Sequence, residues 1–267
     1  MNLAEQLESL KARGFDQERA HTVVFIREAA ILLFEAFPDS FLLYGGANLI
    51  LFHNSVRTSR DLDLLSHGVP LPSAEQIADV LSVGLEKLGE LLSITPLTIR
   101  IDITEPMFMK LSVLGPSGQS LFTVDLGGLG SVLASGIEEH ALEAVSQNSK
   151  TTIKSVSRNH QLLQKAEAFV LRKAVKTRDA YDIKILLDSG ATLAGELQNH
   201  LSDGLLMNEL TDADIADRIE RVTAKLCRAE LKGVLPSEVY EPLERAEFQP
   251  LREALKTVFE QWLKDGL

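Results

Sequence analysis

A chain of 267 residues with 45% hydrophobic and 24% charged side chains has the composition of an ordinary globular protein, long enough for one large domain or two modest ones. Its net charge of −11 excludes avid, non-specific duplex binding by the whole surface. A single cysteine, Cys227, excludes an intramolecular disulfide and any Cys-based zinc site, and no apolar run approaches a bilayer span. The N-terminus carries Glu5 and Glu8 with no apolar segment, so no signal peptide is expected and a reducing cytoplasm is the simplest location.

In chain order, Gln17–Phe37 reads as a helix, with Val23, Val24, Ile26, Ala30, Leu33 and Phe34 recurring at three and four until Pro38 stops it. Phe41–Tyr44 is a short apolar strand running into Gly45-Gly46, and Ala47–Phe52 is the helix which that glycine turn opens. Asp61–Leu65 is the next strand, closed by Ser66-His67-Gly68 and the prolines at 70 and 72. Ser73–Leu92 is helical, and Leu97–Ile103 alternates apolar and polar residues as a strand does. Phe108–Leu114 and Ser120–Leu126 flank Gly115-Pro116-Ser117-Gly118 and predict an antiparallel hairpin. From about Ser155 onward the patterns are helical, over His160–Leu187, Asp212–Lys232 and Leu251–Lys264. The chain is therefore expected to be α+β over residues 1–150 and all-helical over residues 151–267.

The chemistry is concentrated around Gly45-Gly46 and the run Arg57-Thr58-Ser59-Arg60-Asp61-Leu62-Asp63. Glycines let the backbone turn sharply and present N–H groups to phosphate oxygens. Asp61 and Asp63 alternate in a strand, so both carboxylates share one face, where repulsion is relieved by a divalent cation or a nearby Arg or Lys. Strand, glycine turn, helix, then Asp-x-Asp is the order required for metal-assisted nucleotidyl transfer, with a third carboxylate from a neighbouring strand. Asp125 is the first choice and Asp102 the second, since each lies in a β-patterned segment. Asp61 and Asp63 would hold Mg²⁺ on the triphosphate, and the third Asp would share a metal and help deprotonate the attacking hydroxyl. Arg57 is placed for an anion contact or as a plain surface charge. Asp-x-Asp alone suits a half-solvated strand face and Gly-Gly alone a simple turn; it is their order that favours a nucleotide site.

Lys150–Arg178 holds eight cations, Lys150, Lys154, Arg158, Lys165, Arg172, Lys173, Lys176 and Arg178, against Glu167. If His160–Leu187 is one helix, Lys165, Arg172, Lys176 and Asp179 fall on a stripe about 60° wide. That stripe suits either a triphosphate or ordinary ion pairs on a solvated helix. The six histidines (His21, His53, His67, His140, His160 and His200) lack metal-ligand spacing, and no Walker A or Gly-x-Ser-x-Gly motif occurs. Cys227 and Trp262 read as core.

Gly45-Gly46, the Arg57-x-Ser59-x-Asp61-x-Asp63 run and the later basic helix together resemble the AbiEii/AbiGii-type nucleotidyltransferase toxins of the DNA polymerase β-like superfamily. The resemblance covers roughly Phe41 to Ser189 and departs from the common Gly-Gly-Thr at Ala47. It implies a polymerase β-like core with a mixed sheet and a helical C-terminal half that completes an active-site cleft. It also implies Mg²⁺-dependent transfer from an NTP to an acceptor that in some members is tRNA, and an antitoxin of transcriptional-regulator type. Under it Gly45, Gly46, Arg57, Ser59, Lys165, Arg172 and Asp179 would bind the nucleotide. Lys165 would contact its phosphates, and Asp179 or Asp182 would position that lysine or the base. A small-molecule nucleotidyltransferase and a non-catalytic NTP-binding scaffold are the alternatives.

Overall fold

A computed structural model describes residues 2–67, 71–105, 108–127, 136–146, 149–193 and 211–265, so Gly68, Pro70 and His200 lie outside the described residues. The chain divides into two compact units, Met1–Val156 and Ser157–Leu267.

The first unit runs α1 (Leu3–Ala12), α2 (Gln17–Ala36), β1 (Phe41–Tyr44), α3 (Gly45–Phe52), β2 (Asp61–Ser66), α4 (Ala74–Leu91), β3 (Thr98–Glu105), β4 (Phe108–Leu114), β5 (Ser120–Gly127), β6 (Ile137–Glu143) and β7 (Lys150–Val156). The strands form one seven-stranded sheet in the order β3-β4-β5-β2-β1-β7-β6. It is mixed: β2 runs parallel to β5 and β1 parallel to β7, while the remaining pairs are antiparallel. Asp16 caps α2 by accepting from the Arg19 N–H at 2.9 Å. Buried residues then lie on every side of α2, from Val23 through Phe34, because the helix is embedded in the core. Alternation along β2 and β5 sends Leu62, Leu64, Phe122 and Val124 into that core, where Phe122 stacks on Phe25 at 6.5 Å. Each such side chain contributes about 1.5–3 kcal/mol. The same alternation turns the aspartates the other way.

β6 and β7 were not expected. Glu28, wholly buried in α2, fastens the turn between them by accepting from the Val145 and Ser146 N–H groups at 3.0 and 2.9 Å. β7 then runs between β1 and the edge strand β6. His53 closes α3, its N–H donating to the Leu49 carbonyl at 3.1 Å.

Among its described residues the second unit has helices and no strands: α5 (Arg158–Leu171), α6 (Thr177–Asp188), α7 (Asp212–Glu220), α8 (Ala224–Leu231), α9 (Ser237–Arg245) and α10 (Gln249–Asp265). Two long patterns divide. His160–Leu187 breaks between Leu171 and Thr177, and Asp212–Lys232 breaks where Thr223 caps α8 by accepting from the Leu226 N–H at 3.2 Å. Phe169, Phe259 and Trp262 form a ring cluster with centroids 5.8 and 6.0 Å apart, in agreement with a core role for Trp262. Among the described residues no helix is long and apolar enough to cross a membrane.

Cys227 is buried, and burial pushes its thiol from the ordinary 9.0 to about 11. The thiol is expected to resist iodoacetamide at neutral pH and to react once the chain is unfolded. Because the folded pKa is raised, the preference of the neutral thiol for the folded state is intact below the unfolded value and is lost as pH rises through about 11. Urea midpoints should therefore fall more steeply over that window in the wild type than in Cys227→Ala.

Candidate active site

The site begins where β1 ends. Gly45 has φ +67, the left-handed region, and a Cβ there would lie 2.1 Å from Asp63 Oδ2. At Gly46 a Cβ would lie 2.5 Å from Ser59 Oγ and 3.2 Å from Arg57 Nη2. The glycines thus allow three polar side chains to close on the N-terminus of α3. The Gly46 N–H donates to Asp63 Oδ2 at 3.3 Å, which sets a carboxylate at the positive end of the helix dipole. Arg57 and Ser59 are buried, and Arg57 Nη1 donates to the Thr58 carbonyl at 3.1 Å. Gly45→Ala is expected to cost about 1–3 kcal/mol for the backbone conformation alone, and to displace Asp63, so that folding stability by denaturant titration and transfer activity fall together.

Sheet register assembles the rest. Asp61 faces Thr123 and Asp63 faces Asp125 across the parallel β2–β5 pair. On the other side of β5, Lys110 faces Asp125 and Ser112 faces Thr123. Thr123 Oγ1 stands 3.0 Å from Asp61 Oδ1 and 2.7 Å from Asp125 Oδ1. A hydroxyl carries one hydrogen, so it serves one of these carboxylates at a time. Lys110 Nζ donates to Asp125 Oδ2 at 2.8 Å. Burial pulls the Lys110 ammonium down, but the hydrogen bond to Asp125 and the charges of Asp125, Asp61 and Asp102 outweigh it and hold its pKa above the usual lysine value. Tyr44, opposite Asp63 on β1, is pushed up to about 12, first by burial and then by Asp63 and Asp125, and so stays a neutral phenol. Asp102 is elsewhere: it stands on β3 at a bulge, two strands from β5, bonded to Arg100 and Ser112.

Tyr44, Lys110 and Thr123 were not singled out from sequence as site residues. Thr123 was legible as the alternate neighbour of Asp125. Lys110 needed the β4–β5 register, which a hairpin turn with a bulge does not give away.

Among the described residues no three His, Cys, Asp or Glu side chains converge as a ready metal site. Each of the three aspartates turns instead to a protein donor: Asp63 to the Gly46 N–H, Asp61 to Thr123, and Asp125 to Thr123 and Lys110. The donors are all carboxylate oxygens on one face of adjacent strands, which fits a hard cation such as Mg²⁺.

The second unit holds its own cluster. The stripe that one continuous helix would carry does not form, because α5 ends at Leu171 and Arg172 is extended (φ −64, ψ 140). α6 packs back against α5, and Lys165 Nζ meets Asp182 Oδ2 at 2.8 Å and Asp179 Oδ1 at 3.6 Å. Arg172 Nη1 bonds Asp179 Oδ2 at 2.5 Å. The break is held from outside. Arg218 on α7 donates to the Phe169 and Arg172 carbonyls at 2.9 and 2.8 Å, a cation on the C-terminus of α5. Glu230 on α8 accepts from the Thr177 N–H at 2.8 Å, an anion on the N-terminus of α6. Four of the eight cations of the basic tract pair with a carboxylate of their own unit: Lys154 with Asp39, Lys165 with Asp182, Arg172 with Asp179 and Lys176 with Glu230.

A mixed sheet with Asp-x-Asp beside a glycine turn, followed by a helical unit, is a nucleotidyltransferase fold. Two Helicobacter pylori crystal structures share it. A candidate nucleotidyltransferase matches with TM-score 0.58 at 13% identity, covering 94% of this chain and 98% of its own. JHP933 matches with TM-score 0.57 at 13% identity, covering 94% and 95%. The family described as nucleotidyl transferase AbiEii toxin, type IV TA system, matches residues 29–264, and the chain belongs to that family. No curated protein matches the chain.

Proposed function

We propose that this chain transfers a nucleotide from an NTP to a hydroxyl of an RNA acceptor resembling tRNA, as the toxin of a cytoplasmic toxin–antitoxin pair whose antitoxin is a transcriptional regulator. The observation that carries the chemistry is the register placing Asp63 opposite Asp125 and Asp61 opposite Thr123, with the Gly45-Gly46 turn closed on Asp63.

Asp61, Asp63 and Asp125 are the residues that would hold Mg²⁺. A bound Mg²⁺ supplies neutralisation of phosphate charge. The protein's own contribution is positioning and proton handling. The N-terminus of α3, with Arg57 and Ser59 beside it, offers N–H groups and a cation to phosphate oxygens. An Asp125 carboxylate oxygen takes the proton of the acceptor hydroxyl as its oxygen bonds to the α-phosphorus and pyrophosphate departs. Lys165, held by Asp179 and Asp182, is the triphosphate anchor, with Arg172 beside it as a nucleotide contact. Much of the rate enhancement then comes from orientation and fixed charge.

The test is to incubate the protein with each α-labelled NTP, Mg²⁺ and total cellular RNA, beside the Asp61→Asn/Asp63→Asn double variant. Label on RNA with the wild type only is the expected result, and the preferred NTP reads out directly. Label confined to the metabolite pool would replace RNA with a small-molecule acceptor. No label with any NTP, alongside calorimetric NTP binding, would make the chain a non-catalytic scaffold.

A further inference from the structure

Lys110 has an anion on either hand. On β5 its partner is Asp125, whose Oδ2 it reaches at 2.8 Å. On the other side β4 pairs with β3, where Asp102 stands at the bulge between Ile101 and Ile103, on the strand next to Lys110 and already bonded to Arg100 and Ser112, so the lysine would join an existing cluster there. The charges of Asp125, Asp61 and Asp102 all act on the Lys110 ammonium, and its side chain is 30% exposed, which leaves the stem room to turn. Lysine suits such a post, being a compact charge on a flexible four-carbon stem. Asp61, Asp63 and Asp125 repel one another, and Lys110 gives them a countercharge. A divalent cation on Asp125 would in turn repel the ammonium from the oxygen it now holds.

We infer that Lys110 is a built-in counter-ion of the carboxylate face, which gives up Asp125 and turns to Asp102 when a divalent cation is bound. Cation binding is then an exchange rather than an addition, and only a cation that outcompetes an ammonium enters. The inference rests on the reading of Asp61, Asp63 and Asp125 as the cation site. It gives Asp102 a role that needs no contact with the metal: it receives the displaced lysine. The arrangement also leaves the apo protein with a carboxylate face that is already ordered.

The experiment is calorimetric titration of Mn²⁺ into the nucleotide-free protein, comparing wild type with Lys110→Met, Lys110→Arg, Asp102→Asn, Lys110→Met/Asp102→Asn and Asp63→Asn. Lys110→Met should bind Mn²⁺ about tenfold tighter or more, because no bound charge is displaced. Lys110→Arg, which keeps the charge, should stay near wild type. Asp102→Asn should weaken binding in the wild-type background and have little effect in the Lys110→Met background, the signature of an effect that passes through the lysine. Without metal, Lys110→Met should show a lower urea midpoint than wild type, restored by saturating Mn²⁺. Equal or weaker binding by Lys110→Met, with Asp63→Asn reduced, would overturn the exchange and leave the metal site standing. Equal binding by wild type and Asp63→Asn would overturn the metal site and the exchange with it.

Discussion

Asp63→Asn is expected to lower nucleotidyl transfer by about 10³-fold or more, equivalent to roughly 4 kcal/mol of transition-state stabilisation, while the fold is kept. Asp63 is the residue on which the site converges. It faces Asp125 across the sheet, shares its face with Asp61 and accepts from the Gly46 N–H at 3.3 Å. Asparagine keeps an acceptor oxygen of the same reach for that N–H while a neutral NH2 replaces the second carboxylate oxygen, so a loss of activity reports the ionised carboxylate. Alanine is a poorer probe. It also strips the acceptor from the start of α3, a loss comparable to that of an N-cap, about 0.5–2 kcal/mol. Steady-state transfer and denaturant midpoints measured on both variants separate the two effects. An Asp63→Asn enzyme with near-wild-type turnover would sink the assignment.

Lys165→Met is expected to have the largest effect on stability, about 3–5 kcal/mol. Lys165 is 14% exposed and its partners Asp182 and Asp179 are 0% and 3% exposed, so removing the ammonium takes a countercharge from carboxylates where water does not reach them. Arg172 retains a hold on Asp179. Equilibrium unfolding of Lys165→Met, Asp182→Asn and the double variant should show the double variant recovering most of the loss. If Lys165→Met unfolds like the wild type, the pair is not sustaining the second unit. Inactivity of a Lys165 deletion therefore says little about phosphate binding. Lys165→Arg, which keeps the charge and changes the reach, addresses it directly.

The parts of the fold legible in the sequence are those whose signals are local. Phe41–Tyr44 is a strand over the residues expected, and Asp61–Ser66, Phe108–Leu114 and Ser120–Gly127 differ from expectation by a residue at most, because apolar alternation and glycine turns mark their ends. Ser73 caps α4 in a box with Gln76, another signal written within one turn. The carboxylate face was legible to the same extent: alternation gave Asp61 and Asp63 one side, and topology favoured Asp125. What could not be read was anything decided at a distance. β7 is a β-strand because β1 and β6 flank it, and Glu28 ties its turn from more than a hundred residues away in sequence. No glycine or proline lies in Arg172–Lys176 to break the helix. The groups that do so, Arg218 and Glu230, belong to helices encoded some fifty residues later.

Those two distant caps bear on how the protein is made. On the ribosome, a nascent chain that has emerged only as far as Ser189 carries Lys165, Arg172, Asp179 and Asp182 but neither side chain that holds the α5–α6 break in place. Nothing local stops that stretch from running on as one helix, with the lysine displayed on a stripe rather than folded onto its aspartates. Synthesis of Glu230 turns the stripe into a buried pocket of charge. The carboxylate strands of the first unit can therefore fold before the lysine cluster matures.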